Sequence, residues 1–449
     1  MSLRKQAACL AIIHGADTLQ PLLILPYAGR VLGPIDFGQY AYALSIGQLA
    51  TTIVGYGFHW TAQRAAASAR GDPAAIASIF AEVVTAKAIL CVLVTLAGLA
   101  AADSLIAVSK PMFLCTMLTP LGDILFPAWL FVALERVWQA AIAVVTARAL
   151  ALLLFLTLVS SSDQLGLAVA IQAAIPVVSG AVSLPFIVHI ALGGFKSVTL
   201  SRVGTLLKSG WHGFLFTLVE TALMVLPIPL VTHFAGFAAA GQYSVADKFV
   251  GATRPVFRVM SETFLPRVAY YARHDPAAGI ALIWRSLSTL IVGASLSLSL
   301  FFLAPYLIIY FFGESFSEAI PIVRIMSVIP VLTNITICMS NLYMFNYGHE
   351  RMWAILTVSG LLTFLVFAYL LSYLLPNAGI AVALAVITRL SLVLAVSVGF
   401  FLTFGVAKMR LPAVHNVGAS RGAVIVADSM IASPVRPLRL WRSRSGSER

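Results

Sequence analysis

An apolar stretch of about twenty residues, bounded by charges or by Gly/Pro clusters, recurs twelve times along this chain. The stretches are 8–28, 38–60, 80–100, 111–131, 137–158 and 164–190, then 211–233, 238–262, 287–309, 322–346, 354–375 and 378–405. A helix of that length spans the hydrocarbon core of a bilayer, and only a helix or a closed barrel satisfies its own backbone there. Charged residues make up 10% of the chain, against about 25% in a soluble domain. A disordered chain, a secreted disulfide scaffold and an ordinary cytosolic enzyme are excluded. The fold class expected is all-α: a polytopic membrane protein of about twelve spanning helices.

Lys and Arg exceed Asp and Glu by 29 to 17, a net charge of +12. In a soluble domain this excess would point to nucleic acid; in a polytopic chain it marks cytoplasmic loops. With both termini inside, the inner loops carry Arg4, Lys5, Arg64, Arg70, Arg136, Lys196, Arg202, Lys208, Arg267, Arg273, Arg285 and Arg351. The outer loops carry only Arg30 and Lys110. Segment 238–262 is rich in charge, yet removing it as a span would invert every later loop, so it is read as a crossing helix. The first apolar stretch is too long for a signal-peptide core and reads as an uncleaved first span. Residues 406–449 form a basic tail, with five arginines from Arg436 to Arg449, expected to be disordered near an anionic leaflet.

Laid over itself at an offset of 203 residues, the chain matches in the opening of each half. LPYAGRVLGPIDFGQYAYA (25–43) lies over IPLVTHFAGFAAAGQYSVA (228–246), pairing Gly33 with Gly236 and Gly38-Gln39-Tyr40 with Gly241-Gln242-Tyr243. Asp17 falls over Glu220. Equivalent helices are six crossings apart, so the halves run the same way through the membrane, as in parallel-repeat transporters. The expected division is a six-helix lobe over 1–190, an inter-lobe loop over 191–210, a second lobe over 211–405, and the tail.

Ionisable groups inside spans are costly and usually face a bundle interior or a wet cavity. Arg148 and Arg389 stand in long apolar runs, Arg254 and Arg258 share one helical face, and Arg324 lies near the outer end of its helix. Lining a cavity between lobes, these five would suit an anionic cargo, phosphate above all; the alternative is internal pairing with Asp17, Asp123 or Glu220. Asp17 and Glu220 fit either coupling to an H⁺ or Na⁺ gradient or a salt bridge between lobes. Glu82 and Lys87 read as residues snorkelling from a span end. The four cysteines lack metal spacing, GVAKMR (405–410) lacks the glycines of a phosphate loop, and no catalytic constellation is present. An enzyme is therefore not expected, nor a resident cofactor or metal.

Residues 25–66 resemble the opening of the Wzx-type polysaccharide flippases of the multidrug/oligosaccharidyl-lipid/polysaccharide exporter superfamily. The motif residues are Gly29, Arg30, Leu32, Gly33, Pro34, Phe37, Gly38 and Tyr40, followed by Gly55, Gly57, Phe58 and Arg64. Residues 238–269, ending in Leu265-Pro266-Arg267, resemble the family's eighth helix. The resemblance implies two six-helix lobes around a central cationic cavity, opening alternately to each side. It implies a monomer of the bacterial inner membrane that moves undecaprenyl-pyrophosphate-linked oligosaccharide to the periplasmic leaflet, for O-antigen, capsule or exopolysaccharide. Polymerase and export machinery would be its neighbours. Other readings are a multidrug exporter or a peptidoglycan-precursor flippase of the same superfamily, or a membrane scaffold.

Overall fold

The computed structural model describes residues 3–101, 106–191 and 198–405, and the basic tail lies outside them. The described residues are helical and connected by short turns. Ten continuous helical runs are long and apolar enough to cross a membrane, and two of them turn back on themselves. Ala8–Ser68 turns at Gly33 and holds α1 (8–32) and α2 (34–68); Ser201–His274 turns at Gly236 and holds α7 (201–235) and α8 (237–274). The others are α3 (Pro73–Ala101), α4 (Lys110–Ala133), α5 (Val137–Leu158), α6 (Ser162–Val188), α9 (Pro276–Phe312), α10 (Ala319–Met344), α11 (Glu350–Leu374) and α12 (Ala378–Phe404). Twelve crossings result, as the hydropathy predicts.

Gly33 (φ 70°, ψ 174°) and Gly236 (φ 77°, ψ −176°) adopt the same backbone conformation, one open to glycine and hostile to any side chain. They are the residues aligned by the internal repeat, so the repeat is a repeat of structure. Elsewhere the helices run longer than their apolar cores. α7 begins within the stretch read as an inter-lobe loop, with Leu200 the first helical residue. α8 continues past its apolar part to His274, where Asp275 caps the next helix by accepting from the Ala278 amide at 3.1 Å. The apolar signal stops where helix leaves lipid, but helical hydrogen bonding does not.

The turns of the two hairpins pack against each other. A Cβ on Gly38 would collide with the Phe237 carbonyl oxygen, and one on Gly241 with that of Pro34. Pro34 and Phe237 are themselves repeat equivalents, so the contact is reciprocal, as a two-fold contact must be. Around it one apolar core joins both lobes, including Phe37, Tyr40, Phe155, Tyr243, Phe312 and Phe316. Phe37 meets the Phe316 ring edge-on at 5.7 Å.

On the opposite face of the membrane the core divides. One cluster holds Phe58, Phe80, Trp129 and Phe131 of the first lobe with Phe214 of α7. The other holds Val268, Ile283, Tyr343, Trp353 and Phe401 of the second lobe. The stacked pair Tyr56–Phe214, 4.3 Å between centroids, fastens α7 to α2. The apolar core is thus closed into one seal at the face of the glycine turns and parted into two clusters at the face that carries the chain's first residues.

Candidate functional site

The charged residues of the second lobe are brought together by α7, α8, α11 and α12. Counting 1.5 Å per residue, Arg389 lies about 18 Å along α12 from its Asn377 cap, near the middle of the bilayer. Its stem packs beside Gly360 of α11. Its electrostatic neighbours are Glu220 of α7, Arg254 of α8 and the Tyr243 hydroxyl. Among the described residues no carboxylate comes within ion-pair distance of Arg389. Arg254 has Asp247, one turn back, at 3.7 Å, a long contact. Arg258, a further turn along, is exposed and has no ion pair among the described residues. Arg389 and Arg254 are therefore neighbours, Arg258 lies one turn beyond Arg254 on the same face of α8, and among the described residues the one ion-pair contact to the three is that of Asp247 with Arg254.

The remaining sequence-expected residues lie elsewhere. Arg148 of α5 pairs with Asp17 of α1 at 2.7 Å and also donates to Gln20 Oε1 at 3.0 Å. Both partners belong to the first lobe, so this bridge does not span the lobe interface. Arg324 lies apart from Arg389 and Arg254. It is exposed on α10, its guanidinium 5.6 Å from the centroid of the Phe301 ring, in an outward groove walled by Tyr306 and Tyr310 of α9. The apolar run that contains it gave no sign of which helix face it occupies.

The motif residues act in the seal. Arg30 donates from Nε to the Phe311 carbonyl at 3.0 Å and from its other arm to that of Tyr310. It thereby caps the C-terminal end of α9 and ties α1 to the second lobe. A Cβ on Gly29 would strike the Phe312 ring, and Phe37 packs against that same ring. Tyr40 packs against Phe155. Pro34 follows the Gly33 turn, where its fixed φ suits the first position of a helix.

Two groups were not read from the sequence. Lys87 is not a snorkelling residue. Its side chain is 6% exposed, and its ammonium donates to Asp123 Oδ2 at 2.7 Å. With His59, Thr51 and Thr217 the pair lines a pocket of about 220 Å³ at the first lobe's wall. Glu82 likewise has a partner, Arg202 at 3.2 Å. The second group is a row of glutamines: Gln20 Nε2 donates to Gln172 Oε1 at 3.2 Å, and Gln48 faces the same cavity as Gln172. Amides carry no charge to flag them in a hydropathy profile.

At the seam of α1, α8 and the end of α9 lies a mostly apolar pocket of about 230 Å³, lined by Leu22, Leu25, Pro26, Phe249, Phe311 and Phe312 together with Lys248. Beside it on α1, Leu19 and Leu23 are exposed, as are Val256 and Val259 on α8. That seam offers hydrocarbon contact next to the charged residues of α8.

Two repeat-related bundles that share one core at one face and have separate cores at the other, with charged side chains within the membrane-spanning helices, define a two-lobed polytopic membrane protein. The chain belongs to the polysaccharide biosynthesis protein family, whose profile matches residues 3–271, and within it to the Wzx-type flippases. It is 26% identical over 393 residues to the "Putative O-antigen transporter" of Escherichia coli K12, covering 86% of this chain and 93% of that protein. The protein of the same name from Shigella dysenteriae is 24% identical over 375 residues, covering 83% and 93%. Among solved structures, an inward-facing multidrug-resistance MATE transporter of the MOP superfamily superposes with a TM-score of 0.69 at 15% identity, covering 88% of this chain and 96% of that one. The lipid II flippase MurJ, in an inward closed conformation, superposes at 0.63 with 13% identity, covering 89% and 91%. These likenesses establish the two-lobed fold.

Proposed function

We propose that the chain flips undecaprenyl-pyrophosphate-linked oligosaccharide from the cytoplasmic to the periplasmic leaflet of the bacterial inner membrane. The observation that carries this reading is Arg389, near mid-membrane in the second lobe, without a carboxylate in ion-pair contact. A buried charge left unpaired is expensive, and an anionic cargo supplies the missing partner. The guanidinium fork suits pyrophosphate oxygens better than an ammonium would. Arg258 and Arg254 receive the diphosphate at the open end of the path and Arg389 takes it deeper. The polyprenyl tail stays in the bilayer along the apolar α1–α8 seam.

In this reading the parted face is cytoplasmic and the glycine seal periplasmic. Cargo binding closes the parted face, and the seal then opens about the Gly33 and Gly236 turns. Coupling to H⁺ or Na⁺ falls to Glu220. Asp17, its repeat equivalent, is already held by Arg148, whereas Glu220 is an electrostatic neighbour of Arg389 without an ion-pair contact to it. A cation at Glu220 would cancel its pull on Arg389 and leave the guanidinium to the cargo phosphate, and its departure would restore that pull.

Depletion of the chain is expected to leave lipid-linked glycan on the cytoplasmic leaflet, measured by its accessibility to a glycosidase in right-side-out and inverted vesicles. Wild type restores the distribution. Arg389→Ala at equal abundance does not, whereas Arg324→Ala, outside the path, does. Normal distribution in depleted cells would overturn the reading, as would full rescue by Arg389→Ala.

A further inference from the structure

Between the arginine path and the glycine seal lies a cavity of about 230 Å³, enclosed by α1, α2, α6, α7 and α8. Its walls carry Tyr40, Ser45, Gln48, Gln172, Ser244 and Asp247. Two of these polar groups are unsatisfied among the described residues. Ser244 is fully buried and its hydroxyl has no partner; the Gln172 Nε2 amide has none either. A soluble core would not retain both, because an unpaired buried donor is destabilising.

The orientation of the Gln172 amide is not left to chance. Asp17 holds Arg148, and a guanidinium can only donate, so Gln20 must turn its oxygen toward Arg148. That turns the Gln20 amide nitrogen toward Gln172, which must answer with its own oxygen. The Gln172 nitrogen is therefore left over as a donor on the wall of the cavity. An ion pair remote from the cavity fixes which end of an amide faces a ligand.

The two charges on the cavity wall, Asp247 and Lys248, are opposite in sign. The ligand suited to such walls is neutral, small and rich in both donors and acceptors. We propose that this cavity is the glycan subsite of the transport path, taking one neutral sugar ring of the lipid-linked oligosaccharide. Gln172 and Ser244 bond its hydroxyl or acetamido oxygens while the arginines below hold the diphosphate. The inference rests on the flippase reading above and divides that site in two: one part reads charge, the other reads sugar. The seal above the cavity ends the path, so the sugar enters first and the diphosphate follows.

The test compares two ligands on the full chain in lipid nanodiscs. One is lipid-linked glycan extracted from depleted cells, the other bare undecaprenyl pyrophosphate. Wild type is expected to bind the glycan-bearing lipid more tightly. Gln172→Met and Ser244→Ala should each weaken that lipid about three- to tenfold and leave the bare lipid unchanged. Gln20→Met, at a residue that does not itself line the cavity, should produce the same selective loss by freeing the Gln172 amide to rotate. Melting temperatures within a few degrees of wild type mark the variants as folded, and Gln48→Leu provides a second wall substitution should Gln172→Met fail that check. Equal losses on both lipids, or no loss on the glycan-bearing one, would overturn the subsite while leaving the flippase reading in place. A wild type that binds neither lipid would overturn both.

Discussion

At the scale of single residues, buried charge in this chain takes two forms. Lys87–Asp123 and Arg148–Asp17 are closed pairs, whereas Arg389 stands open. Removing one member of a closed pair leaves an uncompensated ion, so Lys87→Met should lower stability by about 3 kcal/mol. Thermal melting in detergent would show it, and the double variant Lys87→Met/Asp123→Leu should recover most of the loss. Arg389→Met should behave the opposite way and leave the melting temperature unchanged or raised, because it removes a charge that has no ion-pair partner. Sequence reading placed all of these residues within helices but could not sort them. Pairing depends on which helices touch, and that is a matter of tertiary packing. Arg324 shows the limit: its position along the helix was legible, the face it occupies was not.

At the scale of elements, the glycine hairpins stand out. Gly33 occupies a conformation that nearly every other residue avoids, so Gly33→Ala should cost about 1–3 kcal/mol and lower the yield of folded protein. Gly38 and Gly241 matter through contact, since neither carries a positive φ. Gly241→Leu should force the seal apart. With Cys9, Cys91, Cys115 and Cys338 replaced, a cysteine at Ser45 should react with a membrane-impermeant thiol reagent from the parted face alone. Adding Gly241→Leu should make it reactive from the sealed face as well. Exclusive labelling from the parted face in that variant would refute the role of the crossing. These elements were the most legible part of the chain, because an internal repeat aligns positions that must share a backbone conformation. The helical extensions at both ends of the α7–α8 hairpin were missed, since hydropathy reports lipid contact and not helix length.

At the scale of the whole molecule, the apolar core is one body at the glycine turns and two bodies at the other face. In the proposed transport cycle, opening the seal would require separating the shared core while merging the divided ones, so the two states would exchange similar kinds of surface. The balance between them is therefore expected to be small and easily biased by cargo. Arg30 belongs to this balance, because its bonds to the end of α9 tie the two lobes together on the sealed side. Arg30→Gln should shift the population toward the opposite state, read as a longer distance between spin labels placed on the α1–α2 and α9–α10 turns. The twelve crossings and two lobes were visible from the spacing of apolar runs and from the repeat. Which face was closed was not, since charge bias orders the loops without saying how the bundles lean.

The hairpin crossing at the heart of the seal is made of backbone: a missing side chain on one hairpin meets a carbonyl oxygen on its twin. Such a closure has nothing to titrate and little for salt to screen, so it should hold equally well across pH and ionic strength. It is also indifferent to what waits beneath it. If the cavity reads sugar as proposed, a lineage can exchange Gln172, Ser244 or Gln48 to suit a new one without disturbing the crossing, because none of the three side chains takes part in it.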